Sequence, residues 1–387
     1  MGNKKNIIKK PGVKTLSIHH GETFSEETGC VMPPIFSTST FKHGNKGNFD
    51  YTRSGNPNFK ILENILKSIE ESKYCTIFGS GISAVTAITS SLKSGDKILC
   101  ESNLYGCTVR MFDKIFKKFG IEVLYTDFTN KENFKEIKDF QPTLIWLESP
   151  TNPLLKVLDI KLICNEANKY KIPVVLDNTF STALIQKPLE LGATLSLIST
   201  TKFINGHSDA LGGAVLTNNE EWNNKMLFSQ KALGLQPSPF DTWLITRGVK
   251  TLPLRIEQQS KSAEIISKEI ENHRIISKVF YPFNQKHPQF NLAKSQMKSG
   301  GSMITLKLNL NKSDTFKFCK SLRYFSLAES LGGVESLICH LATMTHASVD
   351  DKTKNLLGID DSLIRLSVGC EDTNDLISDI LFALNKF

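Results

Sequence analysis

Four short stretches of this chain end in residues that could do chemistry. The run "LSLISTTK" (195–202) is apolar until it finishes on one lysine, Lys202. A partly desolvated lysine has a lowered pKa and serves as nucleophile and base; the plainer alternative is a lysine that snorkels from a strand end to water. Ser199 and Thr201 stand two apart, which on a strand points both to one side, where two hydroxyls suit a phosphate. A second run, "IPVVLDNT", ends in Asp177, a carboxylate that needs a partner if buried or that caps a following helix. In "YCTIFGSGISAVTAITSSL", Gly79, Ser80 and Gly81 lead into a helix of small residues. Helix-start amides with little side-chain bulk favour a phosphate, and a tight strand-to-helix turn is the alternative. The fourth end, "WLESPTNP", offers Glu148 and Asn152 in a proline-bounded turn.

Each part is ambiguous alone, and the set is much less so. An aldehyde cofactor with a phosphate tail and a pyridine nitrogen requires a lysine to capture the aldehyde, a carboxylate to keep the ring nitrogen protonated, and amides to hold the phosphate. These parts follow one another along the chain as phosphate turn, carboxylate, lysine.

Elements of suitable kind surround them. Between about 60 and 250, short apolar runs such as "DKILC", "TLIWLES", "IPVVLDN" and "LSLISTT" alternate with helical stretches, beginning with "NFKILENILKSIEES". That alternation predicts a parallel sheet covered on both faces, with ligands beyond the carboxyl ends of its strands. Residues 1 to about 50 are irregular, and Pro33 and Pro34 disfavour helix there, so an extended arm is expected. From about 251 a long helical segment, "LPLRIEQQSKSAEIISKEIENHR", leads into "GSMITLKLNL" and a last helix, which suits a smaller α+β unit.

Composition sets the outer bounds. A chain of 387 residues, 40% hydrophobic and 22% charged, is long enough for two domains and a substantial core. Its formal charge of +8 is spread over 47 basic and 39 acidic residues without a basic block, so no nucleic-acid partner is expected. The eight cysteines include no CxxC pair, which predicts neither a metal site nor a dithiol motif, and suits reduced thiols in the cytoplasm. The opening "MGNKKNIIKK" lacks an apolar segment behind its charges, and Asn6 stands where a myristoylation signal wants Ser or Thr; a frayed arm without a targeting signal is expected. No apolar run approaches the length that crosses a bilayer, so no membrane partner is expected.

In order, "YTRSGNPN" (51–58), "GSGISA", "ESPTNP", "DNTF", "TKFINGHSD", "ESLGGVESL" (329–337), "MTHAS" and "LIRLSVG" resemble the motifs of the pyridoxal-phosphate enzymes of cysteine and methionine metabolism, from roughly residue 13 onwards. The resemblance implies an α/β, aspartate-aminotransferase-like fold (fold type I). It would comprise an arm at 1–55 that contacts a neighbouring subunit, a cofactor domain with a mostly parallel sheet at 56–250, and an α+β carboxyl-terminal domain at 251–387. It implies pyridoxal 5'-phosphate as cofactor and a homo-oligomer, usually a tetramer of two tight dimers. Lys202 would hold the cofactor, Asp177 would pair with the ring nitrogen and Tyr105 would stack on the ring. Gly79, Ser80, Gly81, Ile82, Ser199 and Thr201 would surround the phosphate, and Tyr51 and Arg53 would reach the phosphate of the neighbour's site. Arg365 would clamp the substrate α-carboxylate, assisted by Ser330 and Asn152, because a guanidinium forks onto a carboxylate with two bonds.

Branches of this family share those residues and differ at a few pocket positions. Glu329 resembles the glutamate of cystathionine gamma-lyases and gamma-synthases, and Arg110 resembles the arginine of the gamma-lyases. Together they offer both signs of charge to a zwitterionic distal group, which a thioether methyl does not need. Cys107 stands where methionine gamma-lyases carry a cysteine and many cystathionine gamma-lyases a glycine; a small buried thiol without a role is the plainer reading. The balance implies gamma-cleavage of cystathionine to cysteine, 2-oxobutanoate and ammonia, with cystathionine gamma-synthase or methionine gamma-lyase chemistry as alternatives.

Overall fold

The computed structural model describes residues 11–20, 29–345, 354 and 358–387. The frayed arm expected at the extreme amino terminus lies outside the described residues, and of "MTHAS" only Met344 and Thr345 lie within them. Inside the stretch expected to be irregular, Val13–His19 is helical, and Lys14 pairs with Glu257 at 2.7 Å.

Helix Pro57–Glu70 illustrates how local sequence sets the frame. The Asn56 side chain accepts a hydrogen bond from Asn58 N at 2.9 Å, and Pro57 occupies the first turn, where no amide is needed. Phe59, Leu62, Ile65, Leu66 and Ile69 recur at helical spacing and are buried, and Glu71 at φ 61° ends the helix.

Seven strands form the larger sheet: β1 (Tyr74–Phe78), β2 (Lys97–Glu101), β3 (Glu122–Thr126), β4 (Leu144–Glu148), β5 (Val174–Asp177), β6 (Leu195–Ile198) and β7 (Gly213–Thr217). Their spatial order among the described residues is β1-β7-β6-β5-β4-β2-β3. The pairs from β6 across to β3 are parallel, and β7 runs antiparallel to both of its neighbours. Alternate residues enter different apolar clusters: Ile98, Trp146 and Val175 pack on one face, and Leu99, Ile145, Leu147 and Leu176 on the other. Burial of both faces is why these strands read as continuous apolar runs.

A smaller sheet follows, ordered β10-β11-β12-β9-β8, from β8 (Ile276–Phe280), β9 (Met303–Leu308), β10 (Ser326–Leu327), β11 (Leu337–His340) and β12 (Leu363–Ser367). Only its β10–β11 pair is parallel. Helices Leu252–Ile270 and Thr373–Leu384 pack with it, and one apolar cluster joins Ile65, Ile198 and Ile256 to Ile304, Ile364 and Ile380. The two sheets thus share one apolar core with the helices packed on them. Among the described residues no helix is long and apolar enough to cross a membrane.

Candidate active site

Lys202 lies in the loop that joins β6 to β7. Strand β6 stops at Ile198, so Ser199 and Thr201 stand in a turn, and the two-residue alternation expected to point them to one side does not apply. The turn is fastened by Lys202 N to Ser199 O at 3.2 Å, Asn205 N to Thr200 O at 3.0 Å, and Gly206 N to Lys202 O at 2.8 Å. The Thr201 hydroxyl donates to Gly212 O at 3.1 Å and accepts from Gly212 N at 2.9 Å, which ties the start of the loop to its end. Lys202 Nζ donates to Ser330 Oγ at 2.7 Å. Burial, reinforced by the positive charge of Arg365, lowers the Lys202 pKa to about 8. An appreciable share of the amine is therefore the free base near neutrality.

Asp177 ends β5, the strand beside β6. It caps no helix: its Oδ1 accepts Thr179 N at 3.0 Å and the Thr179 hydroxyl at 2.6 Å. Thr179 Oγ1 in turn accepts Ser199 N at 2.9 Å, so one threonine links carboxylate and lysine loops. Burial raises Asp177 to about 6, against the lowering effect of the Thr179 bonds. Among the described residues both bonds fall on Oδ1, which leaves Oδ2 for a further donor.

Next to this loop, helix Gly81–Thr89 begins after β1. Ser80 caps it by accepting Ser83 N at 3.0 Å, while the amides of Gly81 and Ile82 precede the first intrahelical bond. A side chain on Gly81 would put its Cβ 2.8 Å from Ser199 Cβ, so only glycine lets the helix start and the lysine loop approach this closely. Gly79 N is already bonded to Leu235 O at 2.8 Å.

On the facing side, Arg365 projects from β12 and is 3% exposed. Its Nη1 donates to Asn152 Oδ1 at 2.8 Å and its Nη2 to Ser330 O at 3.0 Å, above the Phe180 ring at 5.9 Å. Ser330 thus meets the lysine through its hydroxyl and the arginine through its carbonyl, and its φ of 98° stores backbone strain at that junction. Tyr105 N donates to Glu148 Oε2 at 2.8 Å, and the amide of Asn152 donates to the same carboxyl group. Burial and the neighbouring Asp177 charge hold Glu148 well above the ordinary carboxylate range. The Tyr105 hydroxyl is raised by burial and by its hydrogen bond with Cys107, and it senses Glu329 and Arg110. Arg110 Nη1 donates to Cys107 Sγ at 3.7 Å.

Lys202, Asp177, Tyr105, Ser330, Asn152, Arg365, Glu329 and Arg110 therefore converge, with Gly81, Ile82 and Ser199 at one side. Tyr51 and Arg53 do not join them: both are exposed, Arg53 lies 5.7 Å from the Tyr51 ring centre, and neither bonds to a residue of this cluster among the described residues. Sequence reasoning gave no role to Thr179 or Glu148, although both lie inside motifs it singled out.

A family model described as "Cys/Met metabolism PLP-dependent enzyme" matches residues 14–385. The chain belongs to this family. It is 42% identical to the cystathionine gamma-lyase of Dictyostelium discoideum over 97% of this chain and 98% of that protein. It is 41% identical to a cystathionine beta-lyase of Lactococcus lactis over 97% of this chain and 99% of that protein. Among solved structures, the cystathionine gamma-synthase of Xanthomonas oryzae in complex with aminoacrylate and cysteine superposes with a TM-score of 0.95 at 37% identity, covering 97% of this chain and 98% of that one.

The pyridoxal-phosphate family brings its cofactor with it, and the residues present fit that group. Asp177 Oδ2 suits a protonated ring nitrogen, the Gly81 and Ile82 amides suit a phosphate, and Lys202 suits an aldehyde carbon. The fold, the pyridoxal 5'-phosphate cofactor and a lyase-type place in cysteine and methionine metabolism follow from membership.

Proposed function

We propose that the protein is a cystathionine gamma-lyase that converts L-cystathionine to cysteine, 2-oxobutanoate and ammonia. The observation that carries this reading is the contact of the Lys202 amine with Ser330, whose carbonyl holds the buried Arg365. It sets a base beside a carboxylate clamp. The two charges flanking Tyr105, Glu329 and Arg110, support cystathionine, whose distal end is zwitterionic.

When bound, pyridoxal phosphate supplies covalent attachment for the substrate amine and an electron sink for the adjacent carbon. Lys202 would hold it at the aldehyde, Asp177 at the ring nitrogen, and Gly79, Ser80, Gly81, Ile82, Ser199 and Thr201 around the phosphate, with Tyr105 stacked on the ring. Arg365, with Asn152 and Ser330, would grip the α-carboxylate in two bonds and turn the Cα–H towards Lys202 Nζ. As the free base, Lys202 Nζ would take first the Cα proton and, once it has given that proton up, a proton from Cβ, with Ser330 Oγ holding the amine in place. The Tyr105 hydroxyl would deliver a proton to the departing sulfur.

Tyr51 and Arg53, exposed and not bonded to their own chain's cluster among the described residues, support a site completed by the arm of a second subunit, in a tetramer of two such dimers. Residues 56–250 would form the cofactor domain and 251–387 the domain that supplies the carboxylate clamp. Cytoplasmic residence accords with eight free cysteines.

Product analysis on cystathionine tests the reading. Cysteine with 2-oxobutanoate is expected. Pyruvate with homocysteine makes the protein a beta-lyase, and faster turnover of an acylhomoserine with cysteine makes it a gamma-synthase.

A further inference from the structure

Helix Leu252–Ile270 directs two polar side chains, Arg255 and Gln259, from one face into the underside of the site. Arg255 is 5% exposed, and none of the ion pairs among the described residues involves it. Its hydrogen-bond partners are dipoles, and the Cys370 thiol is its titratable neighbour. Nη1 donates to Phe203 O at 2.7 Å, Nη2 to Ile204 O at 3.1 Å and to Gly248 O at 2.9 Å, and Nε to the Thr251 hydroxyl at 3.0 Å. Phe203 and Ile204 directly follow Lys202. Burial lowers the Arg255 pKa to about 10, which leaves it charged at neutral pH.

Gln259 Nε2 donates to Gly333 O at 2.6 Å, and Val334 N donates to Gly206 O at 2.9 Å. The loop after Lys202 and the loop after Ser330 thus touch each other, and both rest on this helix. Gly206 has φ +72°, and a Cβ there would collide with Arg255 Nη1. Desolvating a guanidinium is costly, and a packed apolar residue would serve a purely structural core at least as well. The fork geometry, by contrast, fixes several carbonyls at once.

We propose that Arg255 is a positioning residue: by gripping the carbonyls of Phe203, Ile204 and Gly248 it sets where Lys202 Nζ stands relative to Ser330 Oγ and Arg365. The inference rests on the reading of Lys202 as the cofactor-bearing base. Arg255→Met, Arg255→Lys and Gly206→Ala, each loaded with pyridoxal phosphate, are compared with the wild-type holoenzyme. Readouts are kcat and KM per cofactor-loaded chain and the pH at which the visible band of bound cofactor titrates. A lysine displaced by a fraction of an ångström should lower kcat about 10- to 100-fold in Arg255→Met, with KM within about threefold and the titration midpoint displaced. Arg255→Lys restores part of kcat, and Gly206→Ala reproduces the loss with the guanidinium still present. If Arg255→Met does not fold, the other two variants decide. Variants that melt earlier yet keep wild-type kcat, KM and titration overturn the proposal, as does a rise in KM alone. A wild-type protein that forms no visible band overturns the cofactor reading as well, and is distinguished by appearing before any substitution is made.

Discussion

Lys202 and Asp177 owe their chemistry to burial: the lysine shifts towards the free base that its proposed part needs, and the carboxyl group shifts towards the neutral acid, which a cation on it reverses. Replacing Lys202 by alanine should abolish the visible band and lower turnover by about 10²–10⁴-fold or more, with far-UV circular dichroism unchanged. Retained band and turnover would remove Lys202 from the mechanism. Asp177 gives a prediction in pH. Its folded pKa of about 6 lies above the ordinary 3.8, so the cofactor-free native state keeps a proton that the unfolded chain has released. Stability is therefore lost at this residue as pH rises from about 4 to about 6, by about 3 kcal/mol, and stays lost above that. A cation seated on Oδ2 recovers it. The rise in Tm caused by pyridoxal phosphate should accordingly grow across this window, and Asp177→Asn should remove that part of the growth. Identical pH dependence in wild type and variant would show that no cation meets this carboxylate.

Helix Pro57–Glu70 carries its apolar stripe as sequence periodicity requires, but its last residue breaks the pattern. Glu70 is 1% exposed, among the described residues its carboxyl oxygens have only weak contacts with Ser196 and the Leu189 backbone in place of well-formed hydrogen bonds, and it sits at the negative end of the helix. The nearest cation, Lys187, is paired with Glu71 at 2.8 Å and Glu190 at 3.1 Å. Burial lifts Glu70 to about 8 from 4.5, so its cost appears as pH rises above about 4.5 and is complete near pH 8. Glu70→Met should stabilise the chain by about 1–4 kcal/mol at pH 8 and very little near pH 4, read from denaturant midpoints. Equal effects at both pH values would mean that packing, and not the charge, governs this position.

Across the whole molecule, the exposure of Tyr51 and Arg53, neither of which bonds to the Lys202 cluster among the described residues, is the feature on which the proposed second chain rests. If two subunits share each site, Lys202→Ala and Arg53→Ala chains are each impaired alone, yet a mixed dimer has one site with both residues intact. Random reassociation should then recover about a quarter of wild-type activity. Recovery no greater than the sum of the two separate variants would place each site within a single chain.

Much of this arrangement was legible beforehand, for a physical reason. Strands β1, β2, β4, β5 and β6 are buried on both faces, and burial demands apolar residues that show in the chain as short unbroken runs; the residues at or just beyond their carboxyl ends, Gly79–Gly81, Asp177 and Lys202, mark the edge of the sheet proposed as the cofactor site. Motif types and order sufficed to place the chain in its family. Other features depend on contacts that no local pattern records. The reversal of β7, the turn that carries Ser199 and Thr201 beyond the end of β6, and the use of Thr179 as a bridge all follow from which strands become neighbours. Arg365 meets Asn152 across 213 positions, and Lys202 meets Ser330 across 128. Sequence by itself determined which side chains could react, because reactivity begins with residue type and a strand end; only tertiary structure decided their protonation and aim, because both depend on desolvation and on partners brought in from distant parts of the chain.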